Sequence, residues 1–513
     1  GGGYIMSIKD WLGGVITDVP VVPAGPYQDG AASGVWTLDQ AADYNRQGIW
    51  PIAGNVLPPF NLGVIYDSNS VGSEAVSTGA QSTYFDSSNN IMFSGTSSST
   101  AIFSYNGGAM LQIASDLSAI DSQRNLDGTD SNDYLYCMYD TGSSSLATGY
   151  GFYYANNPDA NSMWLMFINP TDFTVEAKFP WTYTSYYTSS GNTFIGVNGS
   201  NTYILFADYN SGSTSGWNIR LATLSSLTSS TVTFTAGKYF GGSNNAGASI
   251  TNAVMHSTGI YICGQSGEMG QAQDVGFIAK MSYAGSMTWI KSYGTTSQNN
   301  YGTGLVTLDS SGNVYSGYRN RKNGNWEPVF QKHNSSGALQ WEVTLAVSGT
   351  INGGYIDSND DLYVQCQASN KLLIIKMNTS NGAIIWQNSI QAKSGAASTV
   401  TFKTNNSLNM QDDPADSTKI YMTCPVADSG SIINSNGSGF FLGIAKDNSI
   451  HGDVGTLIEY VASTETFTSF TSSTFNTSLG GGGTFTNTVG ANYTGSDITT
   501  STTKFDIVKM NDQ

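Results

Sequence analysis

The stretch DSSGNVYSGY, from Asp309 to Tyr318, decides the fold. An Asp side chain can hold backbone amides two residues on, and the Gly that follows permits the tight bend. Val-Tyr-Ser-Gly-Tyr then reads as a short strand. The same turn and strand recur as DSSNNIMFSG (Asp86), DSNDYLYCM (Asp130), DSNDDLYVQC (Asp357) and DSTKIYMTC (Asp416). Asn or His takes the first place in NGSNTYILF (Asn198) and HSTGIYICG (His256). The first strand residues, Ile91, Tyr134, Tyr203, Ile260, Val314, Leu362 and Ile420, lie 43 to 69 residues apart and define seven units.

A second element follows, clearest in IAKMSYAGSMTWIKSY (Ile278), FQKHNSSGALQWEVTL (Phe330) and IIKMNTSNGAIIWQNSI (Ile374). Each is a strand ending at Lys280, Lys332 or Lys376, a turn containing Gly, and a strand carrying Trp289, Trp341 or Trp386. A unit is therefore two hairpins of short antiparallel strands, with a bulky Trp placed to pack one unit on the next. The expectation is an all-β, seven-bladed β-propeller of four-stranded antiparallel blades. The units resemble bacterial β-propeller repeats related to quinoprotein-type propellers, in which Asp-Ser-x-Gly-Asn precedes an inner strand and Lys-hydrophobic-x-x-x-Gly-x-x-x-Trp follows. The likeness is good over residues 255–390, fair over 82–254 and poor after 425.

Residues 1–58 differ, with five of the 12 prolines and few strand signals. SGVWTLDQAADYNRQGIWP, from Ser33 to Pro51, has the spacing of an amphipathic helix between two tryptophans. Thr37 and Gln40 form a capping-box pattern, Asp39 suits the positive end of the dipole, and Gly48 supplies a stop. A helix over about residues 38–47 follows, too short to stand alone. The segment resembles one found in virion proteins of marine bacteriophages, where Gly-Val-Trp-(Ser/Thr)-Leu starts a short helix ending in Gly-x-Trp-Pro. That resemblance implies that residues 1–58 anchor the chain to other virion proteins, with Trp36, Leu38, Tyr44 and Trp50 at the contact.

The propeller is expected over 59–513. Its Ser/Thr/Asn-rich tract from Ser463 to Thr503 reads as a flexible or loosely stranded tail, within a part, 463–513, that closes the ring. In the final FDIVKMNDQ, Lys509-Met510-Asn511 repeats Lys376-Met377-Asn378, the end of a third strand. Its open edge would pair with NLGVIYD, Asn61 to Asp67.

Charged residues make up 11 %, and 37 acidic against 20 basic residues leave a net charge of −17, which repels nucleic acid. No apolar run reaches the ~18 residues of a membrane span, and Gly1 to Val19 lacks the pattern of a secretory signal. The three histidines, His256, His333 and His451, join no H-E-x-x-H motif, and no G-x-S-x-G or phosphate loop occurs. No catalytic residue, cofactor or metal is expected. Acidic turns such as DGTDSND (Asp127) and DSNDD (Asp357) contain calcium-type oxygens but lack a complete D-x-D-x-D-G loop, so side-chain-capped turns are the preferred reading. Cys137, Cys263, Cys366 and Cys424 each follow a first strand residue by three or four positions and are expected in one structural column, reduced and buried.

The function expected from this reading is that of a phage virion structural protein, a tail fibre or tail-associated appendage, homo-oligomeric in the particle. Its aromatic and amide side chains would recognise host-surface carbohydrate. The alternatives are a purely architectural tail nozzle or capsid decoration, and a quinoprotein-like or glycan-cleaving enzyme. Paired carboxylates at the propeller axis would favour the enzyme.

Overall fold

In the computed structural model, the described residues are strands and adjoining turns between Leu62 and Lys509. Residues 1–61 and many connecting segments, among them 98–106, 153–161, 267–274 and 429–437, lie outside them. The helix expected at 38–47, with Trp36, Leu38, Tyr44 and Trp50, falls there too. Among the described residues there are strands and turns and no helix.

The described strands form seven antiparallel sheets. Blade 1 is Ser82–Phe85, Ile91–Ser97, Gly107–Ile113 and Ile120–Gly128. Blade 2 is Asp133–Asp140, Leu146–Phe152, Ser162–Ile168 and Val175–Thr182. Blade 3 is Phe194–Asn198, Asn201–Asn210, Gly216–Leu227 and Val232–Phe240. Blade 4 is Ala248–His256, Gly259–Ser266, Val275–Met281 and Met287–Gly294. Blade 5 is Asn300–Leu308, Val314–Lys322, Asn325–His333 and Leu339–Leu345. Blade 6 is Gly349–Ile356, Leu362–Ala368, Lys371–Met377 and Ile384–Ala392. Blade 7 takes Val400–Phe402 and Met410–Asp412 as its innermost pieces, then Lys419–Asp428 and Ser438–Ala445, and its fourth strand is Leu62–Asp67 from the other end of the chain. First strands of successive blades touch, and Phe505–Lys509 on the edge of blade 7 meets Ile120–Gly128 of blade 1, so the series closes on itself as a β-propeller.

The described core clusters lie between blades, 2 with 3, 3 with 4, 4 with 5 and 5 with 6, so the sheets of blades 3, 4 and 5 are covered on both faces. Tyr203, Leu205 and Ala207 of blade 3 face blade 4, whereas Ile204 and Phe206 face blade 2. In blade 4, Ile260 and Ile262 point back to blade 3 while Tyr261 and Cys263 point on to blade 5. Two-residue alternation thus feeds two cores at once, which is why YILFA and IYIC read as continuous apolar runs. Each such Leu or Ile contributes about 1.5–3 kcal/mol by leaving water.

From residue 458 the chain runs back round the ring. Ile458–Ala462 adds to the edge of blade 6, Phe467–Ser469 to blade 5, Ser473–Thr474 to blade 4 and Gly483–Thr484 to blade 3. Thr488–Val489 adds to blade 2, Ile498–Ser501 to blade 1, and Phe505–Lys509 to Leu62–Asp67 of blade 7. Every described sheet therefore gains a fifth, antiparallel strand of two to five residues, and in blade 6 Gly452–Val454 pairs beyond it. These pieces are short because each pairs with one edge and must then cross to the next. Long blade edges, open to pairing with another chain, are replaced by short ones. Ile458 and Tyr460 are buried against blade 6, and Phe467 packs on Phe330 of blade 5 at 5.3 Å between ring centroids.

This arrangement corrects several expectations. In the tract read as a flexible or loosely stranded tail, the described pieces are short strands of this belt. Phe505–Lys509 is an outermost strand and not a third one; the third strand of blade 7 is Ser438–Ala445, so the Lys-Met-Asn match is a coincidence of three letters. Asp130 lies outside the described residues, in the link from blade 1 to blade 2, and Tyr134 sits on the first strand of its blade. The second strand begins at Leu146, and with it the intervals from Ile91 and to Tyr203 become 55 and 57 residues, in place of 43 and 69. The cysteines consequently share no single column. Cys137 is on the first strand of blade 2, while Cys263, Cys366 and Cys424 are on second strands.

Candidate functional site

The turns joining first to second strands converge on one end of the ring, and the sequence motif is what builds them. In blade 5, Asp309 Oδ1 accepts from the amides of Ser311 (3.1 Å) and Asn313 (2.8 Å), and Oδ2 accepts from Asn313 Nδ2 (2.8 Å) and the Tyr315 hydroxyl (3.0 Å). In blade 6, Asp357 Oδ1 accepts from the amides of Asn359 (2.9 Å) and Asp361 (3.0 Å). His256 does the same in blade 4, its Nδ1 lying 2.9 Å from Thr258 Oγ1 and accepting from the Thr258 amide at 3.3 Å. Asn198 opens a turn in which Gly199 has φ 63°. Asp86 and Asp416 lie outside the described residues. The ladder gives the place of Asp309 in blade 7 to Asp413: its amide donates to Lys419 O at 3.1 Å, as Asp309 donates to Asn313 O and Asp357 to Asp361 O. These carboxylates are engaged by their own turns, which leaves few lone pairs for a cation. Among the described residues no three His, Cys, Asp or Glu side chains are grouped to hold a metal ion.

Behind the turns, three blades repeat one cross-strand rung: Tyr261–Lys280–Trp289, Tyr315–Lys332–Trp341 and Tyr363–Lys376–Trp386. Each ammonium sits over its Tyr ring, at 5.1, 5.0 and 5.3 Å from the centroid. Trp289 Nε1 donates to Ser335 O of blade 5 (3.2 Å), and Trp341 Nε1 to Thr379 O of blade 6 (3.1 Å). The ring of each lies on a glycine of the same turn. A Cβ at Gly337 would stand 2.7 Å from Trp289, and one at Gly382 would stand 2.8 Å from Trp341. Both glycines have positive φ, 81° and 73°. The Gly and Trp of the motif, read separately from sequence, are the two halves of one inter-blade contact. Gly337→Ala combines left-handed strain of about 1–2 kcal/mol with overpacking of about 1–3 kcal/mol. Chemical denaturation should read a loss of about 2–5 kcal/mol, and a loss under ~1 kcal/mol would show that the Trp289 contact is slack.

Further locks tie the turns. Asp360 of blade 6, at φ 61°, accepts from the Ser310 amide (2.8 Å) and hydroxyl (2.5 Å) of blade 5, bonds that hold its carboxyl below the usual range. Lys446 of blade 7 reaches Asp357 (3.1 Å) of blade 6 and Asp412 (2.5 Å) of its own. Burial opposes that ammonium, but the bonds it donates to the Asp412 and Asp357 carboxylates outweigh it and raise its pKa. Sequence reading missed this pair, because Lys446 and Asp357 lie on different repeats.

His333 is fully buried on the third strand of blade 5, with Nε2 2.7 Å from the Tyr293 hydroxyl of blade 4. Burial, helped by Lys291, lowers its pKa to about 3. In the unfolded chain the same imidazole takes its proton near pH 6.5, so the unfolded state binds more protons between these values and stability falls as pH falls. The loss begins near pH 6.5 and reaches about 2 kcal/mol at pH 5. Unfolding free energies measured from pH 7 to 5 should show this slope, and His333→Gln should remove it; an unchanged slope would refute the assignment.

The innermost strands bear on the enzyme alternative. In the described innermost strands acidic residues stand only at strand ends, Asp133, Asp140 and Asp412, and the last is paired with Lys446. Bulges there carry Thr251, whose hydroxyl donates to Cys263 O at 3.2 Å, and Asn352. Cys263 and Cys366 are free and buried; burial pushes the Cys263 thiol up to about 12 and raises Cys366 as well, far from a reactive thiolate. Among the described residues no helix is long and apolar enough to cross a membrane.

No protein-family model matches the chain, and no curated protein does. Solved structures with a similar backbone include polysaccharide lyase Uly1, at 9 % identity and a TM-score of 0.43, covering 74 % of this chain and 94 % of that one. The Dos1 propeller matches at 11 % identity and 0.41, covering 72 % and 81 %. A protein of unknown function from Bacteroides caccae matches at 11 % identity and 0.31, covering 58 % and 94 %.

Proposed function

We propose that the protein is a structural component of a bacteriophage virion, a tail fibre or other tail-associated appendage. Residues 1–58 attach to neighbouring virion proteins, and the propeller is displayed towards host-surface carbohydrate. The observation that carries this reading is the segment from Ser33 to Pro51, in which Trp36, Leu38, Tyr44, Gly48, Trp50 and Pro51 match the virion-protein pattern. The belt is in keeping with it, since a particle component outside a cell gains from sheets whose long edges are covered. So is the engagement of Asp309, Asp357 and Asp360 in turns and locks, which gives these carboxylates a structural task in a non-catalytic protein.

Gold-labelled antibody against the propeller, applied to purified particles, tests the reading. Label at the tail or its appendages is the expected result. Label on the capsid or tail body would make the protein an architectural decoration or nozzle, and absence from washed particles would overturn the virion role.

A further inference from the structure

The second hairpin of blade 5 departs from the repeat. In blade 6 the corresponding strands, Leu362–Ala368 and Lys371–Met377, turn through Ser369-Asn370 immediately after the Ala368–Lys371 pair. In blade 5 the ladder continues for two more rungs, Arg321–Trp326 and Lys322–Asn325, before Asn323-Gly324. Those rungs carry the hairpin about 7 Å further out than its neighbour. They add nothing to the inter-blade cores, since Arg321 and Asn325 are exposed and Trp326 is half-buried.

The composition of this extension is as unusual as its length. The whole chain has five arginines, at 46, 124, 220, 319 and 321, and between residues 319 and 328 three cations stand against the single carboxylate of Glu327. Trp326 orients two of them: the guanidinium carbons of Arg319 and Arg321 lie 4.9 and 5.6 Å from its ring centroid. Arg319 also donates to Thr350 Oγ1 of blade 6 at 3.2 Å, which fixes the base of the hairpin to the next blade. Arg321 has no carboxylate partner among the described residues. A guanidinium laid on an indole keeps its N–H edges outward, the geometry that meets a carboxylate or sulfate in a two-pronged hydrogen bond.

We infer that this hairpin, through Arg319 and Arg321 laid on Trp326, is a docking point for the anionic groups of an acidic polysaccharide. The inference rests on the host-surface reading above and specifies its ligand: a carboxylated or sulfated glycan and not a neutral one. The net charge of −17 opposes a polyanion at long range. Screening over about 8 Å at physiological ionic strength leaves the exposed guanidinium of Arg321 to act locally.

The test uses the purified full-length chain in native gels cast with dextran sulfate, alginate or uncharged dextran. Retardation by dextran sulfate or alginate, and none by dextran, is expected. Arg321→Gln with Lys322→Gln should weaken that retardation about tenfold or more, with an unchanged melting temperature showing that the ring is intact. Trp326→Leu should give an intermediate loss, because the cations remain but lose their platform. Retardation by neither polyanion, equal retardation of the double variant, or equal retardation by dextran would each overturn the inference; so would binding to polyglutamate alone, which would assign the hairpin to an acidic protein. Polyanion binding by a protein absent from particles would keep this site and remove the virion role. A particle protein indifferent to both polyanions would do the reverse.

Discussion

Deleting residues 1–70 lowers the melting temperature by on the order of 10 °C or abolishes the cooperative transition, whereas deleting residues 1–55 leaves it nearly unchanged. The difference is one strand. Leu62–Asp67 pairs on one side with Ser438–Ala445 and on the other with Phe505–Lys509, at the closing blade. Without it, blade 7 loses its fourth strand and the belt loses its last attachment, so the closed ring becomes an open array with two free edges. The shorter deletion ends before Leu62, the start of that strand, and leaves every described strand in place. Calorimetry on both truncations decides the matter: equal melting temperatures would mean that the ring holds without this strand. The shorter truncation also tests the anchor, since under the virion reading it folds and fails to enter particles.

The second large effect is expected from the other terminus. Stopping the chain after Gly455 removes the belt and uncovers the outer strand of every described sheet. Aggregation during refolding and a melting temperature lower by on the order of 10 °C should result, read by light scattering and calorimetry. A graded version is Tyr460→Ala. This ring is 2 % exposed and its hydroxyl lies 2.7 Å from Asn388 Nδ2, so truncation should cost about 3–5 kcal/mol. A belt-less chain that is monodisperse and melts like the full protein would reduce the belt to surface decoration.

How far the sequence could be read depended on the range of the interaction behind each letter. Asp309 and Asp357 were legible because an Asp acting on amides two and four residues ahead is a local event, and so leaves a local pattern. The rung from Tyr315 through Lys332 to Trp341 was legible for a related reason: hairpins fix its register, and hairpin spacing is visible in one dimension. Blade 2 was misread because the letters before its first strand, Asp130-Ser131-Asn132, are of the kind that open a hairpin elsewhere in the chain. A turn residue reports the bend it makes and not the strands that flank it.

The sequence by itself determined the all-β class, the repeating hairpins and the residues that cap their turns, since these rest on φ preferences and contacts a few residues apart. Only the tertiary structure decided what lies beside what. Lys446 meets Asp357 across 89 positions, and Lys371 meets Glu465 across 94. The belt, a run of Ser, Thr and Gly with almost no strand signal of its own, becomes strand only because seven blade edges present unpaired amides and carbonyls to it. A segment whose structure is templated by its neighbours carries little of that structure in its own letters.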